Sequence, residues 1–235
     1  MKTQVRISLL SLFAVFSLMM AAFPASAGVL LFSNGSPAGN IYGWEIDNGY
    51  VVSDSFSFSG TANSVVVGLW VLPGQKPQSL EWSVTSSENA LCPSNECLSS
   101  GTYIFQPADL TPWSGGLAYG YIGGGNGTTA TNCTAGCPLY LATINFPGGL
   151  SVPGGTTVWL NLENATATGG GPVGWDENDG PNSFASQNTL GTIGSEDPDF
   201  YGTPNGATPE PSSMVLSLSG ALGLLSGSLR RRFFG

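Results

Sequence analysis

An antiparallel β-sandwich is the fold that this 235-residue chain predicts, and three observations predict it. Apolar and polar residues alternate with period two in several short runs, which turns one face of each run to a core and the other outward. Clusters of Gly, Pro, Asn and Ser separate those runs and supply turn geometry. Helical spacing of apolar residues is nearly absent between positions 28 and 208. Many short strands with punctuated turns close best as two packed sheets. A jelly roll is the expected variety, with an immunoglobulin-like sandwich as the alternative.

The strands are read in order. Residues 54–59 place Phe56 and Phe58 inward and Ser55, Ser57 and Ser59 outward. Residues 65–72 are apolar on both faces, as a central strand requires. Residues 80–85 put Leu80, Trp82 and Val84 on the core face and Glu81, Ser83 and Thr85 on the other. Shorter signals cover residues 102–106, 117–122 and 139–146. Residues 157–163 repeat the alternation, with Val158, Leu160 and Leu162 inward. Turns are expected at Pro73-Gly74, in the glycine tract 123–127, at Pro147-Gly148-Gly149 and at Pro153-Gly154-Gly155. No internal repeat is evident.

Both ends of the chain are apolar. Residues 1–27 read as a secretory signal peptide, with Lys2 and Arg6 before an apolar run and Ala25-Ser26-Ala27 as the cleavage site. At the other end, Pro209-Glu210-Pro211 precedes an uncharged apolar stretch, residues 212–229, closed by Arg230, Arg231 and Arg232. As a helix that stretch spans roughly 27 Å, enough for a thin hydrocarbon core. The three arginines would stay on the cytoplasmic side and leave the body outside. This tail resembles the PEP-CTERM sorting tail of bacterial exported proteins. The resemblance implies that an intramembrane sortase-like enzyme, an exosortase, recognises and processes the tail while the protein moves to the cell surface or an exopolysaccharide matrix. The chain then divides into a signal peptide (1–27), an exported β-sandwich domain (28–206) and a sorting tail (207–235) that holds it in the inner membrane until processing. Residues 43–50, 53–56 and 175–178 also resemble segments of uncharacterised exported proteins with the same tail, a likeness that brings no activity with it.

Composition excludes several functions. Between positions 28 and 208 there are fourteen acidic residues against one basic residue, Lys76. Nucleic acid is therefore not a partner, since its phosphates need Lys or Arg. The chain has no histidine, which removes Ser-His-Asp and Cys-His catalysis and most catalytic zinc arrangements. Catalysis by two carboxylates alone, as in a glycoside hydrolase, survives. Four cysteines, Cys92, Cys97, Cys133 and Cys137, fall in two close pairs. Three disulfide pairings are open, and Cys92–Cys97 with Cys133–Cys137 is favoured because each pair brackets a turn-rich segment. A four-thiolate zinc site is the competing reading.

Two groups of residues are candidates for binding. Trp175-Asp176-Glu177-Asn178-Asp179-Gly180 reads as a polar turn, in which Asp176, Asn178 and Asp179 would offer oxygens to calcium. A solvated Asx turn without metal is the competing reading, and no other cofactor is expected. Glu196-Asp197-Pro198-Asp199 is a second acidic segment that would converge with the first if the fold brought them together. Trp113, Trp159 and Trp175 are candidates for an exposed platform that stacks on sugar rings, two in loops and Trp159 on an outer strand face. Four Asn-x-Ser/Thr sequons, at Asn34, Asn126, Asn132 and Asn164, follow from composition. The sequence thus predicts a non-enzymatic surface or matrix protein, with a carbohydrate-binding module as the alternative and a carboxylate-only hydrolase third.

Overall fold

The computed structural model describes residues 28–39, 42–90, 92–123, 131–152, 154–178, 180 and 183–204. The signal-peptide segment 1–27 lies outside the described residues. So does the tail, with Pro209, Glu210, Pro211, the stretch 212–229, Arg230, Arg231 and Arg232. Among the described residues no helix is long and apolar enough to cross a membrane.

The strands, in chain order, are β1 (Val29–Ser33), β2 (Tyr42–Glu45), β3 (Val52–Phe56), β4 (Gly60–Trp70), β5 (Pro77–Thr85), β6 (Cys97–Ile104), β7 (Leu110–Ala118) and β8 (Tyr121–Gly123). They continue as β9 (Thr131–Asn132), β10 (Cys137–Val152), β11 (Val158–Ala167), β12 (Gly174–Asn178), β13 (Ala185–Gln187), β14 (Gly191–Thr192), β15 (Ser195–Glu196) and β16 (Asp199–Pro204). They form two sheets. The second is ordered β14-β13-β3-β11-β5-β6. The first is centred on β4, with β10 and then β7 on one side. On the other side of β4 lie β16 and β1, and beyond them along the strand β12, β2, β8 and β9. All pairings are antiparallel except β2 with β8.

The core lies between the sheets, where the alternating residues meet. Val65, Val67 and Leu69 of β4 and Ala142 and Ile144 of β10 face Leu80, Trp82 and Val84 of β5 and Val158, Leu160 and Leu162 of β11, all buried. Each such side chain contributes about 1.5–3 kcal/mol on leaving water. Phe56 stacks on Phe200 at 4.1 Å between ring centroids, joining β3 of one sheet to β16 of the other.

The strand alternation at 80–85 and 157–163 is present, yet the outer face is not solvated throughout. Ser83 and Thr85 are buried around Asn161, whose amide donates to both hydroxyls at 3.2 and 2.9 Å while its carbonyl accepts from Ser53. Asn89 covers this polar patch by bonding Ser53 and Ser186. The Pro147-Gly148-Gly149 turn is a correction. β10 runs through it as one strand, with a register shift between Asn145 and Leu150 that sets the extra residues into a bulge, Phe146 still facing the core. Gly148 and Gly149 take φ of 84° and 80°, which a bulge of this kind needs and a side chain resists.

Both local disulfides are formed, Cys92–Cys97 with Cα atoms 5.5 Å apart and Cys133–Cys137 at 5.2 Å. The second pair is buried in a smaller apolar cluster with Trp70, Ala118, Ile122 and Leu139. Leu139 is paired with Trp70, so this cluster covers the outer face of the first sheet. Thiols committed to disulfides leave nothing for a four-cysteine zinc site.

Candidate functional site

The first sheet forks at the middle of β4. One flank of β4 pairs with β16 as far as Val66 and with β12 from Leu69 onward, so among the described residues 67 and 68 have no strand partner there. Asp197, between β15 and β16, fills the gap. Its Oδ1 accepts the Gly68 N–H at 3.0 Å and the Trp175 indole N–H at 2.9 Å. Only glycine fits at 68, since a Cβ there would stand 2.6 Å from Asp197 Oδ2, 2.9 Å from Pro37 and 3.0 Å from Asp176.

The two acidic segments converge at this fork. Glu177 pairs with Glu196 and Asn178 with Ser195 across β12 and β15. Residues 174–178 are therefore a strand inside the sheet and not the surface turn expected from their polarity. Asp176 is fully buried on the outer side of the sheet, where it accepts the Ala38 and Gly39 N–H groups at 2.7 and 3.1 Å and the Trp70 indole N–H. Asn178 accepts from Gly180 N–H at 2.9 Å and donates to the Asn34 carbonyl at 3.0 Å. Both side chains pin the segment between β1 and β2, so their polar atoms already have work as calcium would find them. Asp179 lies outside the described residues.

The inner side of the fork holds a different set of oxygens. Asp54 of β3 is paired with Leu160, a core residue, and so points between the sheets. Its Oδ2 accepts from the Ser183 hydroxyl at 2.9 Å and the Glu196 N–H at 3.0 Å. The amide of buried Asn34 bonds Ser183 and the Glu196 carbonyl, closing the network. Among the described residues Asp54 Oδ1 and both Glu196 carboxylate oxygens are buried without a hydrogen-bond partner, as is Asp197 Oδ2 on the outer side, beside Gly68, Pro37 and Asp176.

The electrostatics follow from burial. Asp54 is pushed up to about 7 by loss of water, against the opposing donors from Ser183 and Glu196. Burial likewise lifts Asp176 to about 7, although Trp70, Ala38 and Gly39 donate to it. Glu196 rises well above the usual carboxylate range through burial and then the charges of Asp54, Asp197, Asp176 and Glu177. Asp197 rises for burial and for Asp176 beside it. No basic side chain offsets this, because Lys76, the sole base of the body, is exposed in the turn between β4 and β5.

The three tryptophans do not meet. Trp175 is fully buried in the core and cannot stack on a sugar, a correction to its expected loop placement. Trp113 lies on β7, also not in a loop, half-buried against the outer cluster of the first sheet. Trp159 is half-buried, on the outer face of the second sheet. The sequence reading missed a better row: Tyr42 stacks on Trp44 at 5.4 Å and stands 6.1 Å from Tyr121, with Tyr42 and Tyr121 about 40 % exposed. Trp44 donates its indole N–H to Glu177 at 2.8 Å. The period-two signal Tyr42, Trp44 against Gly43, Glu45 was there to be read.

Asp47 lines an open depression of about 310 Å³ with Asn48, Asn164 and Gly170. It is pushed up to about 7 first by burial and then by the neighbouring Glu45 carboxyl. No protein-family model and no curated protein matches the chain.

Proposed function

We propose that the chain is a non-enzymatic exported protein of the cell surface or extracellular polysaccharide matrix, sorted through its C-terminal tail by an exosortase-type enzyme. The observation that carries this reading is the tail itself, Pro209-Glu210-Pro211 followed by an uncharged apolar stretch and Arg230-Arg231-Arg232. The two local disulfides support an oxidising destination. In this reading residues 212–229 form a transmembrane helix that holds the protein in the inner membrane before processing. The chain's repeated passage from one sheet to the other supports a jelly-roll arrangement of the body. Replacing Pro209, Glu210 and Pro211 with alanine should leave the protein in the membrane with its tail intact, read by mass and by fractionation. Processing of that variant at the normal rate would overturn the assignment.

A second reading, carbohydrate binding, is favoured by the row Tyr42, Trp44 and Tyr121. Flat exposed rings beside a carboxylate suit the apolar face and hydroxyls of a pyranose. Tyr42→Ala and Tyr121→Ala should each reduce retention on exopolysaccharide at least tenfold, while Trp159→Ala should not. Unchanged retention of both tyrosine variants would remove this reading.

A further inference from the structure

We infer that the fork is a pH-operated latch, closed while Glu196 and Asp54 are uncharged and opened when both ionise. Asp54, Glu196 and Asp197 stand there at no more than 2 % exposure, in a body whose single base is elsewhere. Among the described residues no three acidic side chains are placed to hold a metal ion. A buried carboxylate with neither an opposite charge nor a metal sheds its own charge by taking a proton. Glu196 is the decisive side chain: fully buried, and partnered at neither oxygen among the described residues. The charges that act on it are all acidic. Asp54 belongs to β3 of the second sheet and accepts the Glu196 N–H at 3.0 Å, Glu177 stands opposite on β12, and Asp197 and Asp176 complete the set.

The element that would move is lightly held. β15 is two residues long and pairs with β12 at Glu177 and Asn178, so releasing it breaks few ladder bonds. Ser183 and Asn34 clasp it through Asp54 and the Glu196 carbonyl, contacts that cannot neutralise a carboxylate. Unfolded carboxyls titrate near about pH 4. In the closed fork Asp54 is lifted to about 7 and Glu196 well above its usual range, in both cases first by burial. The closed fork therefore holds protons that the open one releases. Closure is favoured in full below about pH 4 and is lost as pH rises through about 7. Opening would draw Asp197 out of its gap, freeing the Gly68 N–H and the Trp175 indole N–H and baring the flank of β4 at residues 67 and 68.

The test uses the full-length protein, exported and purified, in about 0.5 M salt so that repulsion between surface acids is screened. The unfolding constant from urea denaturation should be at least about a hundredfold larger at about pH 8.5 than at about pH 5. Glu196→Gln and Asp54→Asn, which stay neutral at every pH, should each remove about tenfold or more of that rise. Glu88→Gln, at an exposed acid, should keep the whole of it. Amide exchange locates the event: protection of the Gly68 and Glu196 N–H groups should fall about tenfold or more before that of the β5–β11 ladder falls. A wild-type unfolding constant that is equal at the two pH values, or larger at the acidic one, would overturn the inference whether or not the variants fold. So would a full rise retained by both neutral variants, or fork amides that stay protected at the alkaline pH.

Discussion

Asp176→Ala should destabilise the protein by about 3–5 kcal/mol, the larger of two expected losses, because one carboxylate serves three donors at once. Removing it leaves the Ala38 and Gly39 N–H groups and the Trp70 indole N–H without their acceptor. The segment between β1 and β2 is held against the first sheet largely by this side chain and by Asn178. Some of the loss is offset, since Asp176 is itself strained by burial and lifted to about 7. Asp176→Asn separates the two effects: it keeps one acceptor oxygen and sheds the charge, so its cost should be nearer 1–2 kcal/mol. Denaturant unfolding measures both, and amide exchange at Ala38 and Gly39 should quicken in the alanine variant. A loss below 1 kcal/mol, with those amides still protected, would mean that the segment is anchored elsewhere.

The second large loss is expected at Trp175→Ala, again about 3–5 kcal/mol, and here the cause is mainly volume. Trp175 has no exposed surface and stands between Leu69 of β4 and Trp44 of β2 in register. An alanine leaves a cavity that sheet strands, fixed by their ladders, cannot collapse to fill. Its indole N–H also holds Asp197 in the fork. Trp175→Phe keeps most of the ring and drops that bond, so a cost of roughly 1–2 kcal/mol is expected from the bond and the smaller ring together. Equal costs for the two variants would show that packing around the indole is not what stabilises this position.

The strands with strong alternation were legible because period two is a local property. Leu80, Trp82 and Val84, or Val158, Leu160 and Leu162, announce a core face without reference to anything distant. The local cysteine pairing was legible for the same reason. What lay beyond reading was any burial that depends on partners far along the chain. Asp176 looks like a solvated turn residue until the N–H groups of residues 38 and 39 arrive to donate to its carboxylate. Ser83 and Thr85 look outward until Asn161 and Asn89 cover them. Pro147-Gly148-Gly149 has the composition of a reversal, and the pairing with β4 on both sides of it makes it a bulge instead. The convergence of residues 176–178 with 195–197 was anticipated as a condition. Asp54 and Asn34, which complete the cluster, carried no signal of their own.

The antiparallel pair of β1 with β16 sets an order of events during synthesis. Val29 lies opposite Gly202, so among the described residues the first strand made is completed by the last one made. Until residues 199–204 have emerged, β4 also lacks that neighbour along half its length, and the Phe56–Phe200 stack cannot form. A growing chain therefore leaves the flanks of β1 and β4 that β16 covers open until these residues arrive. The same pairing brings the entrance and the exit of the body side by side, so whatever precedes residue 28 and whatever follows residue 204 depart from one corner of the molecule.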